Sequence, residues 1–461
     1  GPFSSLNDKQ EVAISQDGQK EAMEHAGRTG GLPFVGVGWY RTEFDVPQFQ
    51  AGKRATILFD GAMSHANVYI NGQKVGYWPY GYNSFHFDIT KYLKPGEKNT
   101  LAVRLENLPE SSRWYPGAGL YRNVHLIITE DAYIPVWGTY ITTPSVNEKF
   151  AKVNVRTKVV LPEGADPAKY SMETSVWNPN KQKLTAVRTS LAQMKYNNNQ
   201  AEQEFVIQAP SLWSPEMPAL YSAETRLYEG DKLKDIYTTP FGIRSIEIIP
   251  DKGFFLNGKR TVFKGVCNHH DLGPLGAAVN DAAIRRQIRI LKDMGCNAIR
   301  TSHNMPAPEL IRACDEMGMM IMAESFDEWN VAKCKNGYNL LFDEWAEKDL
   351  VNLLHNFRNN PSVVMWCIGN EVPNQWNEGD CKIAKWLQDI CHREDPTRPV
   401  TQGMDAPDAV VNNNFAAVMD VAGFNYRPFK YKINYKKLPQ RIVLGSETAS
   451  TVSSRGVYKF P

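Results

Sequence analysis

Between residues 261 and 447, seven short apolar runs follow one another: TVFKGVCN, CNAIRTS, MMIMAES, SVVMWCIGN, RPVTQG, DVAGFNY and RIVLGSE. Most are separated by stretches whose apolar residues recur at helical spacing, such as DAAIRRQIRILKDMG, APELIRACDEMG, LFDEWAEKDLVNLLHNFRN and CKIAKWLQDICHRED. Short strands alternating with helices build parallel sheets, because each helix carries the chain back across the sheet face. Residues 246–461 are therefore expected to form a (β/α)8 barrel. Only seven of its eight strands are counted in the sequence. An open seven-stranded edge is unfavourable, so the sequence is expected to be part of a longer polypeptide.

The preceding half reads differently. Residues 34–130 alternate apolar with polar in WYRTEFDV, ATILFDGA, HANVYING, FHFDIT, NTLAVRLEN and RNVHLIITE, the pattern of a half-buried β-sandwich. Asn71-Gly72 between NVYI and QKVGYW predicts a two-residue hairpin turn. A second set of short strands, KVNVRTKVV, SMETSVWNP, EQEFVIQA and YSAETRLYEG, gives residues 131–245 the size and texture of an immunoglobulin-like sandwich. Three domains, at 1–130, 131–245 and 246–461, agree with a length of 461 residues, too great for one core.

The chemistry carried by the composition is narrow. The 52 basic and 50 acidic side chains are spread along the chain, and no basic stripe points to nucleic acid. No apolar run is long enough to cross a bilayer, and no basic start followed by an apolar stretch marks a secretory leader. The compartment stays open, with the periplasm or secretion favoured over the cytoplasm. The seven cysteines all lie between Cys267 and Cys391 without a CxxC pair, against a disulfide framework or a zinc site. The stretch GGLPFVGVG has no Walker spacing and precedes a strand, and there is no GxSxG elbow. Nucleotide binding and acyl transfer are set aside.

In a (β/α)8 barrel the active site lies at the C-terminal ends of the strands. Here those ends carry Asn268-His269-His270-Asp271, Arg300-Thr301-Ser302-His303-Asn304, Glu324, Asn370-Glu371, Asn425-Tyr426 and Glu447. A single carboxylate at such a place serves equally well as a helix cap or a surface charge. Several converging ends are harder to explain so. Glu371 and Glu447 follow the apolar runs VVMWCIGN and IVLGS, and carboxylates are seldom buried without a partner. Two carboxyl groups on one rim suit glycoside hydrolysis, where one is protonated to release the leaving oxygen and the other ionised to meet positive charge at the anomeric carbon.

SVVMWCIGNE, IRTSHN, GVCNHHD and the Gly445-Ser446-Glu447 of the seventh strand resemble the motifs of glycoside hydrolase family 2. The resemblance implies a jelly-roll sugar-binding domain, an immunoglobulin-like sandwich and a TIM barrel, in that order. It implies Glu371 as acid/base, Glu447 as nucleophile, and Asn370 as the partner of the sugar 2-hydroxyl. Arg300 and Tyr426 resemble the pair that donates to the nucleophile, while His269 and His303 resemble sugar-contacting histidines. Trp329, in the loop beyond the third strand, could stack on a sugar face or equally serve as a lid residue. Arg113, Trp114 and Tyr115 of SSRWYPGAGLYRNV could reach the barrel mouth, although core packing is the expected role for Trp114.

HHDLGPLGAA and FDEWN resemble β-galactosidase members more than others, so the reaction expected is retaining, exo-acting hydrolysis of terminal β-D-galactosides without an organic cofactor. β-Glucuronidase and β-mannosidase are the alternatives within the family, and an inactive carbohydrate-binding protein is the alternative outside it. The resemblance also implies Mg²⁺ or Na⁺ near the acid/base in some members, with no ligands assignable here, and oligomers in many. Zinc held by His269, His303 and Glu324 lacks a third histidine or a cysteine, and no metal ligand is assigned.

Overall fold

The computed structural model describes residues 13–14, 22–23, 36–48, 52–192 and 199–449. Residues 30–35, which open the GGLPFVGVG stretch, lie outside the described residues. The first domain pairs two antiparallel sheets. One contains β1 (Gly36–Asp45), β3 (Ala66–Ile70), β4 (Gln73–Trp78) and β6 (Lys98–Asn107) in the order β1-β6-β3-β4; the other contains β2 (Arg54–Phe59), β5 (Phe85–Asp88) and β7 (Val124–Thr129) in the order β5-β2-β7. The Asn71-Gly72 turn joins β3 to β4 with φ of 51° and 81°, the left-handed pair that fits the twist of a hairpin. Alternate residues of β2 and β3 are buried, and Ile57, Phe59, Val68 and Ile70 meet Phe85 between the sheets.

The second domain repeats the architecture. It holds β8 (Thr139–Val146), β9 (Phe150–Lys158) and β12 (Gln200–Gln208) in the order β8-β9-β12, opposite a sheet of β10 (Tyr170–Trp177), β11 (Lys183–Ser190), β13 (Tyr221–Glu229) and β14 (Lys232–Phe241) in the order β11-β10-β13-β14. A small sheet of β15 (Ile246–Ile249), β16 (Gly253–Leu256) and β17 (Lys259–Arg260) leads into the barrel.

Among the described residues the barrel sheet has seven parallel strands in sequence order: β18 (Gly265–Asn268), β19 (Ala298–Thr301), β20 (Met320–Glu324), β21 (Val363–Asn370), β22 (Val400–Met404), β23 (Val421–Asn425) and β24 (Val443–Glu447). Each coincides with one of the seven apolar runs. The helices α1 (Asp281–Asp293), α2 (Pro308–Met317), α3 (Phe342–Phe357), α4 (Cys381–Glu394), α5 (Pro407–Asn412) and α6 (Tyr431–Lys437) follow successive strands from β18 onward. Asn280 caps α1 by accepting from the Ala283 N–H, and α2 ends at Gly318 with φ of 75°. Ile284, Ile288, Ile311, Leu350, Leu353 and Leu387 pack the helices onto the sheet. Full burial of each such side chain stabilises by about 1.5–3 kcal/mol.

Both sandwiches are tied to the barrel through polar groups. Trp78 Nε1 and Asn83 Nδ2 of the first domain donate to Asp349 Oδ1 on α3 at 2.9 and 2.8 Å, and Tyr338 OH donates to its Oδ2 at 2.6 Å. The Arg122 guanidinium donates to the carbonyls of Met305 and Pro306. From the second domain, Trp213 Nε1 donates to the Asp315 carbonyl, and Arg244 donates to the carbonyls of Pro361 and Val363. The first domain is thereby held against the loops at the strand ends.

Candidate active site

Arg300, at the end of β19, organises the barrel mouth. It is 4% exposed, and its guanidinium donates to Glu447 Oε1 at 2.7 Å from Nη1 and to Asn370 Oδ1 at 3.0 Å from Nη2, and pairs by charge with Glu324, whose Oε2 lies 2.5 Å from Nε. Such an arrangement needs the planar fork of arginine. It also needs space: a Cβ on Gly403 of β22 would stand 2.5 Å from Arg300 Nη2. Glycine there admits the guanidinium.

Glu447 at the end of β24 receives a second donor, the Tyr426 hydroxyl, 2.7 Å from Oε2. Both oxygens of the carboxylate are thus engaged. His303 Nε2 lies 3.5 Å from Glu447 Oε1, and His303 Nδ1 lies 2.9 Å from Glu324 Oε1. Burial, reinforced by the Arg300 charge, pushes the His303 imidazole well below its ordinary value, so it acts as a neutral ring. Burial pushes the Glu324 carboxyl upward, with Arg300 opposing.

Glu371 stands just past β21 with φ of 43°, and Tyr426 and Arg427 follow β23 with φ of 58° and 53°. Left-handed backbone at three non-glycine positions carries a cost that the surroundings must over-determine, and such strain clusters at functional sites. The Glu371 N–H is held by the Gly403 carbonyl at 2.7 Å, and its Oε1 accepts from Asn425 Nδ2 at 2.9 Å. Asn425 Nδ2 also donates to Asn370 Oδ1 at 3.1 Å, and its Oδ1 accepts from Ser446 at 2.7 Å. A chain of hydrogen bonds therefore joins the two carboxylates: Glu447, Arg300, Asn370, Asn425, Glu371. Burial raises the Glu371 carboxyl above its ordinary value; Asp405 and Glu447 push the same way, while the Asn425 hydrogen bond and Lys333 oppose.

Asp327 supports Asn370 from behind. It accepts from Asn370 Nδ2 at 3.0 Å, from Lys333 Nζ at 3.0 Å, and from Arg113 Nε and Nη2 at 2.8 Å each. Against the upward push of burial, Lys333 and Arg113 hold the Asp327 carboxyl well below the usual carboxylate range. Arg113 belongs to the first domain, so a loop of the sandwich completes the mouth. The next residue, Trp114, stacks on His269 with ring centroids 4.1 Å apart, and His269 meets His303 edge-on at 5.1 Å.

Six residues singled out from sequence, Glu371, Glu447, Arg300, His303, Asn370 and Tyr426, share one network, and His269 stands beside it. Trp329 does not join them. It is fully buried, donates from Nε1 to the Ile368 carbonyl at 2.9 Å, and stacks on Phe415 at 5.8 Å. Its indole underlies Gly369, where a Cβ would stand 3.0 Å from Nε1. The expectation of a sugar-stacking face at Trp329 is therefore corrected: the ring supports the strand that carries Asn370. Trp114 is corrected the other way, since it lines the mouth instead of the sandwich core. Asp327 and Lys333 were not singled out. Asn425 was named as a strand end beside Tyr426 but given no role, and it proves to bridge Asn370 and Glu371.

Three consecutive stretches match three parts of one family. Residues 33–130 match the sugar binding domain of glycosyl hydrolases family 2, residues 133–244 the domain named for the family, and residues 247–459 its TIM barrel domain. The chain belongs to glycosyl hydrolases family 2. Among family relatives, a β-galactosidase of Bacteroides ovatus is 39% identical over 468 residues, covering 95% of this chain and 55% of the relative. A β-glucuronidase of Bacteroides fragilis is 32% identical over 381 residues, covering 79% and 54%. A family 2 member from Bacteroides cellulosilyticus superposes with a TM-score of 0.86 at 37% identity, covering 91% of this chain and 54% of that one. A β-glycosidase from Bacteroides vulgatus gives 0.84 at 34% identity, covering 97% and 55%. The chain spans about half the length of the curated relatives it matches.

Proposed function

We propose that this family 2 chain carries the catalytic centre of a retaining exo-β-glycosidase that removes terminal β-D-galactosyl groups. The observation that carries the reading is the pairing of Glu447, anchored through both oxygens by Arg300 and Tyr426, with Glu371, whose carboxyl is raised by burial. One is suited to attack as a carboxylate, the other to give up a proton.

In the first step the Glu447 oxygen bonds to the anomeric carbon as the glycosidic C–O bond breaks, and the Glu371 proton passes to the leaving oxygen. In the second, water attacks the anomeric carbon, its proton returns to Glu371, and the bond to Glu447 breaks. Asn370 Nδ2 has one hydrogen beyond the one given to Asp327, which supports its assignment as the donor to the sugar 2-hydroxyl. Two carboxyl groups and water suffice, so no organic cofactor enters.

The galactoside assignment is supported by the likeness to the Bacteroides ovatus β-galactosidase. β-Glucuronidase is the second reading, supported by relatives of that name. A panel of nitrophenyl β-D-glycosides on the full-length protein and on Glu447→Gln separates them. Turnover of the galactoside supports the first reading, turnover of the glucuronide alone the second, and no turnover of any sugar returns the chain to a binding role.

A further inference from the structure

The cation that the family resemblance implies near the acid/base, Mg²⁺ or Na⁺, finds a poor donor set. Among the described residues no three His, Cys, Asp or Glu side chains gather to hold a metal ion. Asp327, in the loop after β20, already accepts from Arg113 and Lys333 and from the Asn370 amide. On the β22 side, Asp405 accepts from Gln375 Nε2 at 2.5 Å. Two protonated side chains bound to Asp327 repel a further cation instead of coordinating it.

What does stand there is an ammonium group. Lys333 Nζ, on a side chain 10% exposed, donates to Asp327 Oδ1 at 3.0 Å and to the Asn370 carbonyl at 2.6 Å. That carbonyl belongs to the peptide joining Asn370 to Glu371. The same peptide's N–H is taken by the Gly403 carbonyl, so the left-handed turn that aims Glu371 is gripped from both sides.

The lysine is itself held firmly. Glu328 accepts the backbone N–H groups of Lys333, Cys334 and Asn339 at 2.5, 3.1 and 3.2 Å, closing the loop that carries it. A Cβ on Gly337 would fall 1.8 Å from Glu328 Oε1, so glycine is needed for the loop to close so tightly. Arg113 and Lys333 both bring positive charge to the Asp327 carboxylate, and the Lys333 charge also favours the ionised form of Glu371.

We propose that Lys333 is the built-in cation of the acid/base: its ammonium stabilises the Glu371 carboxylate formed as the leaving group takes the proton, and makes that step independent of a metal ion. The proposal rests on the functional reading above. The charged groups around the pair are Asp327, Arg113, Cys334, Glu328 and His303 on the Lys333 side, and Asp405 and Glu447 on the Glu371 side. Positive charge comes from Lys333, from Arg113, which is bound to Asp327 through both arms, and from Arg300, which is bound to Glu447, Glu324 and Asn370. Lys333 is a positioning residue, acting through Glu371 without touching the sugar.

The test uses the full-length protein and reads kcat/KM against pH with two galactosides, one bearing a dinitrophenyl group that leaves without acid assistance and one bearing an alkyl aglycone that needs it. With Lys333→Met, Glu371 loses a stabilising positive charge. The alkaline limb is expected to move upward by about one pH unit. The alkyl galactoside should lose about 10-fold or more, and the dinitrophenyl galactoside much less. Lys333→Arg, which keeps the charge, should restore most of the difference.

An unmoved limb in folded Lys333→Met, or equal losses on both substrates, overturns the proposal. So does loss of wild-type activity in EDTA that Mg²⁺ restores, a measurement that decides even when Lys333→Met does not fold. A wild-type protein that cleaves no glycoside removes the functional reading itself, and this proposal with it. An active wild type with an unmoved limb removes the proposal alone.

Discussion

Arg300 Nη1 lies 2.7 Å from Glu447 Oε1, while the other two nitrogens of the same guanidinium face Glu324 and Asn370. One buried cation thus fixes the nucleophile candidate and, through Asn370 and Asn425, the acid/base candidate.

Arg300→Lys should therefore be severe. An ammonium lacks the fork that reaches Glu447 and Asn370 while pairing with Glu324, and it leaves at least one buried partner unpaired. The expected loss in kcat/KM is about 100-fold or more, or about 2.7 kcal/mol of transition-state stabilisation. Steady-state kinetics alongside thermal unfolding checks that the loss exceeds what instability explains.

As the proposed acid/base, Glu371 should set the alkaline side of the pH profile. Burial raises its carboxyl, so the proton needed for leaving-group departure is retained above the ordinary carboxylate range and lost as pH rises through the folded-state value. Glu371→Gln should remove that limb and cost about 10³-fold with a poor leaving group. A dinitrophenyl glycoside should still release its phenol in a first turnover, followed by slow deglycosylation.

The two tryptophans should part company. Trp114→Ala removes the stack on His269 and should raise KM about 10-fold with little change in melting temperature, since the ring lies at the mouth. Trp329→Ala empties a fully buried site and should destabilise by about 3–5 kcal/mol. Kinetics with denaturant unfolding of both variants gives the comparison.

Asp349 should make stability depend on pH. Burial pushes its carboxyl up to about 7, above its unfolded value, against hydrogen bonds from Tyr338, Asn83 and Trp78. A raised carboxyl contributes stability present at low pH and lost as pH rises through about 7. Between pH 5 and 8.5 the wild type should lose about 2 kcal/mol from this group. The slope should flatten in Asp349→Asn when unfolding is followed across that range.

The barrel was legible because its strands are short and enclosed. All eight residues of β21 are buried, so the sequence shows an unbroken apolar run ending in Asn370. Edge strands were harder to see. β11 and β14 flank the β10-β13 pair, and the mixed exposure of β11 leaves no alternation to detect. The site divides in the same way. Residues at strand ends, from Arg300 to Glu447, could be read from position alone. Asp327, Lys333 and Trp114 could not, because their roles depend on how one barrel loop and one sandwich loop fold over the mouth. Trp329 was misjudged for the same reason: a loop position suggested exposure, and the loop turns inward.

If Glu447 is the nucleophile it forms a covalent bond to the sugar, which active-site labelling detects. The full-length protein is incubated with dinitrophenyl 2-deoxy-2-fluoro-β-D-galactoside, whose fluorine slows hydrolysis of the intermediate, and its peptides are then read by mass spectrometry. One fluorogalactosyl group per chain is expected, on Glu447. Label on Glu371 or Glu324, or turnover of β-galactosides with no label on any carboxylate, would contradict it.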